Sequence, residues 1–317
     1  MLNTLLLYIE VPVSYVLVGW YRALTFFGLD GASGWTWALS IVGLVITIRV
    51  ILIPLFMRQI RSQRAMQLLA PDLKKIQAKY KGKKDQASRE AMSRETMELY
   101  QKHKTNPFSS CLPLLVQSPI FLALFRVLNT HLKPDANGAF HSFGALTQKM
   151  VIQAHDSTIF GAGISQSFKV STTGSAKIVA AVLIVAMVGT TFLTQRQITM
   201  KNMPQSALEG PMAQQQKVLM YMMPFIFVFS GPFFPIGVLI YWTTTNLWSM
   251  GQQFYVIKRN PTPGSEAHKI YQERLAAKAK AKAMGPDGGL LSNEPEEPPA
   301  PVTTQRPQPQ RKNRKRK

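Results

Sequence analysis

A single cysteine, Cys111, occurs in 317 residues, and it lies inside an apolar run. That excludes a disulfide framework, a cysteine-based metal site and a lipid-attachment cysteine near the start. Acidic residues are also few, 16 Asp and Glu against 37 Lys and Arg. The histidines, His103, His131, His141, His155 and His268, fall at no metal-ligand spacing. There is no Walker loop, no Gly-x-Ser-x-Gly and no His-Glu-x-x-His. Gly161-Ala162-Gly163 lacks the third glycine, the strand and the helix of a dinucleotide fingerprint. No metal, no cofactor and no bond-making chemistry is expected, so the chain does not read as an enzyme.

What the chain does have is long charge-free sequence. Mean hydropathy is zero, but that value averages basic segments with four uncharged gaps: Gly31 to Ile48 (18 residues), Thr105 to Phe125 (21), Ile178 to Gln195 (18) and Val218 to Ile257 (40). A bilayer-spanning helix needs about 20 apolar residues. The first three gaps each fit one crossing and the last fits two, divided where Gly231-Pro232-Phe233-Phe234-Pro235 cannot continue a helix. The expected fold is an all-α polytopic membrane protein with spans over residues 37–57, 107–129, 176–195, 218–234 and 235–257.

Basic residues orient these spans. Lys and Arg total 13 over residues 58–106 and 14 over 258–317, but three over 130–175. The positive-inside rule therefore places the N-terminus outside and the C-terminus in the cytoplasm, with 130–175 an outer loop and 196–217 an inner one. Residues 58–106 carry two apolar stripes at helical spacing, Met66, Leu69, Leu73, Ile76, Tyr80 and then Met92, Thr96, Leu99, Tyr100, around a Lys81-Gly82-Lys83-Lys84 turn. A cytoplasmic helical hairpin follows, with basic outer faces free to meet a partner. Residues 1–36 read as an amphipathic helix at the outer interface, since Glu10 and Arg22 interrupt the apolar run and Tyr8, Tyr15, Trp20 and Tyr21 are spread along it; a sixth span is the alternative.

Arg49 is the one charge in the middle of an expected span. A guanidinium stays protonated, and at a helix centre it costs about 2.5–3.5 kcal/mol. None of the five expected spans contains an acidic residue to pair with it. Snorkelling to the cytoplasmic interface, about 12 Å away, runs against the N-terminal tilt of helical Cα–Cβ bonds. The other reading is a water-containing cavity open to the cytoplasm. Polar walls exist for it. Trp242, Thr245, Asn246, Ser249, Gln252 and Gln253 form one helical stripe, and Gln117, Ser118, Thr191, Thr194 and Gln195 can add to it. For any single one of these, interhelical hydrogen bonding is an equal reading.

These residues also carry a resemblance. Asn106-Pro107, the run from Cys111 through Pro113, Gln117-Ser118-Pro119 and Leu124, then Phe234-Pro235-Ile236-Gly237 to Tyr241-Trp242 with Asn246 and Gln252-Gln253, resemble the YidC/Oxa/Alb family of membrane protein insertases. Arg49, followed by Pro54 and a basic hairpin, is similar as well, so the likeness runs from about Ala38 to Lys258. The chain lacks the large extracytoplasmic domain and the lipoprotein-type leader of other bacterial members, which implies a short, actinobacterial form; its outer loop is longer than the minimal core.

The resemblance implies a protein of the bacterial plasma membrane that receives nascent membrane proteins in a hydrophilic groove around Arg49. Their helices would leave along Leu114, Phe121, Phe125, Phe225 and Phe229, residues that read equally well as lipid-facing surface. A solute transporter or a passive assembly scaffold is the alternative function. The Pro- and Glu-rich tail ends in Arg311, Lys312, Asn313, Arg314, Lys315, Arg316 and Lys317, a run that binds polyanions without reading sequence. Ribosomal RNA, reached through this tail and the hairpin, and anionic lipid headgroups are the candidate partners; a Sec-type channel is a further one.

Overall fold

The structure, a computed structural model, describes residues 2–83, 85–103, 105, 112–197, 201–202 and 211–283. The chain divides into two compact units, Met1–Tyr271 and Gln272–Lys317. The described part of the second is the helical stretch up to Ala283, the remainder of α11 (Glu266–Ala283).

Within the first unit the chain begins with α1 (Leu2–Phe26). Leu6, Glu10, Val13, Ser14, Leu17, Val18 and Tyr21 are buried along it, at the three- and four-residue steps that make one helical face. Tyr8 and Tyr15 point outward. The buried face packs on α2 (Gly34–Ile51) and α6 (Leu112–Arg126). Tyr21 stacks on Trp37 with ring centroids 4.5 Å apart, and Trp20 Nε1 donates to Thr47 Oγ1 at 2.9 Å. Gly43 permits that approach, because a Cβ there would lie 2.6 Å from Trp20 Cγ. Two further polar contacts of α1 reach residues 145–153: Ala145 N donates to Ser14 Oγ at 3.1 Å, and Tyr21 Oη donates to Gln153 at 3.0 Å.

Glu10 is fully buried. Its carboxylate lies 3.0 Å from Arg126 Nε and 3.2 Å from His131 Nε2. Residues five apart in an α-helix point about 140° away from each other. A π-helical turn, Val127–His131, follows Arg126 and widens the winding so that both side chains reach one carboxylate. His131 in turn stacks on Phe143 at 3.6 Å, which ties the end of α6 to the segment that follows it.

α2 begins at Gly34, three residues before the expected start, because Ser33 Oγ accepts from Trp35 N and caps it. It ends at Ile51, ahead of Pro54, and α3 (Ile53–Leu68) follows after one irregular residue, Leu52, whose N donates to Ile48 O and whose carbonyl accepts from Phe56 N. α4 (Ala70–Lys79) and α5 (Gln86–Lys102) form the antiparallel hairpin, closed by buried Leu69, Leu73 and Tyr100. Gly82, at φ +88°, makes the turn, and Asp85 Oδ2 caps α5 by accepting from Ser88 N at 2.9 Å. Lys79, and then the Tyr80 hydroxyl, hold the Glu95 carboxyl below the usual carboxylate range, so this cross-hairpin contact persists at ordinary pH.

Residues 132–173 depart from the all-α expectation. They hold α7 (Gln148–Asp156) and a two-stranded hairpin, β1 (Thr158–Ile159) antiparallel to β2 (Ala162–Gly163). α8 (Gly174–Arg196), α9 (Pro211–Ser230) and α10 (Ile236–Arg259) complete the bundle, with a 3-10 turn at Gly231–Phe233 where the two prolines stand. Buried Ala176 and Ala180 let α10 come close to α8 through Ile236 and Leu239. By length and apolarity α2 and α8 qualify as membrane-crossing helices. The polar stripe of α10 and the 15 described residues of α6 keep those two from qualifying on the same grounds.

The Glu10 contact generates a prediction. Glu10→Ala leaves Arg126 and His131 facing a buried void, and removing one partner of a buried pair costs about 3 kcal/mol. The thermal midpoint of the detergent-solubilised variant should fall accordingly; an unchanged midpoint would show that this contact does not hold α1 to α6.

Candidate functional site

Arg49 stands in the last turn of α2, where the negative end of the helix dipole favours a cation. Although near a helix end, it is only 7% exposed. Among the described residues no carboxylate pairs with it. Its Nη2 donates to Thr245 O at 3.5 Å, a long bond to a carbonyl that Ser249 Oγ also takes at 2.8 Å. Its Cζ lies 5.1 Å from the centre of the Phe56 ring. A guanidinium offers five donors, so the described protein groups meet little of its demand.

The guanidinium borders a cavity of about 390 Å³ lined by Arg49, Phe56, Gln59, Ile60, Gln117, Gln195, Asn246, Ser249, Gln252 and Gln253. At ~30 Å³ per water, that is room for on the order of ten waters. The structure thus brings together Arg49, Gln117, Gln195, Asn246 and Ser249 from α2, α6, α8 and α10, with Gln252 and Gln253 from the same stripe.

Other residues expected in the groove go elsewhere. Ser118 Oγ donates to Leu115 O at 3.4 Å and Thr194 Oγ1 to Thr190 O at 2.7 Å, the local back-bonding common for hydroxyls in apolar helices. Thr191 Oγ1 accepts from Asn246 Nδ2 at 2.8 Å, and Met187 O accepts from the same nitrogen at 3.3 Å. Those bonds fasten α10 to α8. Trp242 is in an aromatic cluster, 4.7 Å from both Phe121 and Phe227. Thr245 is buried and contributes its carbonyl to Arg49.

Phe56, Gln59 and Ile60 are site residues that the sequence reading missed. A signal was present: 49, 56 and 60 are spaced by seven and four, one face of a helix that runs on almost unbroken from α2 into α3. Gln59 is 3% exposed, and neither of its amide atoms has a hydrogen-bond partner. Gln117 donates from Nε2 to the Tyr241 hydroxyl while its Oε1 is buried and unpartnered. An unpaired buried polar group costs about 1–3 kcal/mol, a burden a purely structural wall would shed.

The five residues expected on an exit face divide. Phe121 and Phe125 are half-buried and stack at 6.1 Å, Phe125 also meeting Phe234 at 5.9 Å edge-on. Phe225 and Phe229 are 64% and 73% exposed on α9 and line an open apolar depression of about 600 Å³ with Met222, Ile226 and Phe233. The side chain of Leu114 and the basic run 311–317 lie outside the described residues.

Apolar crossing helices around a polar, arginine-bearing cavity define a helical membrane protein. Residues 28–263 match the family described as 60Kd inner membrane protein. A protein of Streptomyces avermitilis named membrane protein insertase YidC is 46% identical over 278 residues, 84% of this chain and 62% of that protein. Proteins of the same name from Tropheryma whipplei and Bifidobacterium longum are 41% and 36% identical, over 88% and 92% of this chain and 92% and 89% of theirs. The chain belongs to this YidC/Oxa/Alb family of bacterial inner-membrane proteins.

A hydrated cavity is open to test by labelling. With Cys111 replaced by Ser, single cysteines at Ser249 and Gln253 should react with a membrane-impermeant maleimide applied from the cytoplasmic side. A cysteine at Val185, 72% exposed on α8, should not react from either side. Protection at 249 and 253 would mean a dry cavity.

Proposed function

We propose that this chain is a membrane protein insertase that takes nascent membrane proteins from the cytoplasm into the Arg49 cavity and releases their hydrophobic segments sideways into lipid. Five spans carry it, N-out and C-in, with α1 lying along the outer interface. The topology is supported by the excess of Lys and Arg over residues 58–106 and 258–317, and the place of α1 by the outer segments its polar contacts reach. The observation that carries the function is the buried Arg49 beside a polar cavity with no carboxylate among the described residues to neutralise it. The relatives' shared name supports the same reading.

The mechanism follows from the cost of crossing. Polar and acidic client residues, and peptide groups without partners, each cost several kcal/mol in hydrocarbon. A water-filled groove reaching into the membrane shortens the dry path. Arg49 attracts acidic client residues, and its present bond, long and shared, is weak enough to yield. Driving energy is the transfer of the client's apolar segment, about 25 cal/mol per Å², so neither a nucleotide nor a covalent step is required. Phe225 and Phe229, exposed on α9, offer the client an apolar face on leaving. Delivery by ribosomes, through the basic tail and the hairpin, is the corresponding reading of the cytoplasmic charge, with anionic lipids sharing that surface and a Sec-type channel acting beside it on larger clients.

In cells depleted of the native protein, Arg49→Ala should lower insertion of clients with acidic translocated tails by about ten-fold, the scale of one charge-assisted contact, whereas Arg49→Lys should retain most of it because charge is what the step uses. Full insertion of acidic-tailed clients by Arg49→Ala would remove charge attraction from the mechanism.

A further inference from the structure

We infer that Gln59, with Gln117 lining the same cavity, forms an amide subsite for the main-chain peptide groups of an incoming segment, serving clients of every charge while Arg49 favours acidic ones. This rests on the insertase reading of the cavity and adds to it a recognition chemistry that does not depend on client sequence.

Among the described residues the cavity wall carries one cation, Arg49, several side-chain amides and one hydroxyl, and no carboxylate. A carboxamide presents two N–H donors and an acceptor oxygen. A peptide group presents one donor and one acceptor, so the two are mutually complementary. A segment moving through the membrane in extended form has its peptide groups unbonded, and it has the same need at every residue whatever its side chains. An arginine answers acidic side chains and carbonyls only. It can do nothing for a peptide N–H.

The two glutamines are in the state such a subsite requires. Buried amides in a finished structure are nearly always bonded, yet Gln59 is 3% exposed with both amide atoms unpartnered, on the wall of the cavity. A turn of its side-chain torsions brings both valences to whatever fills the space. Gln117 is half-engaged: Tyr241 takes its N–H, which orients the amide and leaves Oε1 free to accept from a client N–H. Both groups are neutral, so they hold a segment without trapping it as a buried ion pair would.

The two roles separate experimentally. The full chain, reconstituted in proteoliposomes, is given three clients with translocated tails of equal length: one acidic, one rich in Ser and Asn, one of Gly and Ala only. Gln59→Leu should reduce insertion of all three by a similar factor, roughly three- to ten-fold for one net hydrogen bond, while the thermal midpoint stays level or rises because an unpaired amide has been removed. Arg49→Ala should reduce the acidic client alone. Gln59→Met serves in the same way if the leucine variant does not accumulate. Unchanged insertion of the Gly and Ala tail would overturn the amide subsite, and so would a midpoint that falls in step with insertion, since that marks Gln59 as structural. If Arg49→Ala and Gln59→Leu both leave all three clients at wild-type yield, the cavity itself is not the client path.

Discussion

The structure depends on how the chain treats two arginines. Arg126 is given a partner: the fully buried Glu10 reaches it at 3.0 Å, and the π-helical turn brings His131 to the same carboxylate. Arg49 is the more deeply buried of the two, yet among the described residues it has only a long bond to a carbonyl already used by Ser249, and the ring of Phe56. A neutralised cation is a clasp, and a cation without a counter-charge needs water or a ligand. The Glu10 contact is built the first way and the Arg49 cavity the second.

Holding a cavity open beside Arg49 demands rigidity around it. Asn246 fastens α10 to α8 through Thr191 and Met187, and Ala176 and Ala180 draw the same two helices together. On the other side Trp242 is locked among Phe121, Phe227 and Phe234. Residues of one sequence stripe thus take two tasks. Those toward its N-terminal end fix the helices, and those toward its C-terminal end, Ser249, Gln252 and Gln253, are left facing the cavity. The proposed groove exists because its upper walls are glued and its lower walls are not.

How much of this was legible in the sequence depends on which residue is asked. Arg49 could be found because it is the one charged residue between Asp30 and Arg58, and the α10 stripe because polar residues at helical spacing are conspicuous in an apolar run. The hairpin stripes, which supply the buried Leu69, Leu73 and Tyr100, were readable for the same reason. Thr194 and Ser118 were indistinguishable from groove residues, since a hydroxyl that bonds its own helix and one that faces water look alike in a sequence. Gln59 was hidden by its neighbours: Arg58 and Arg61 mark a cytoplasmic segment, and only the near-continuity of α2 into α3 carries its face back to Arg49. The Glu10 clasp needs a π-helical turn, which no periodicity announces, and α7 with the residues before it is held by contacts with distant residues, Ser14 and Tyr21.

The central claim is that polypeptide passes through the cavity beside Arg49. A photoreactive amino acid at position 252 in membranes programmed with ribosome-stalled chains tests it most directly. Crosslinks from 252 to the client's polar tail, followed by loss of those crosslinks and gain of crosslinks from 229 to its hydrophobic segment as the chain lengthens, are the result expected. Crosslinks from 229 at every chain length, with none from 252 at any, would contradict it.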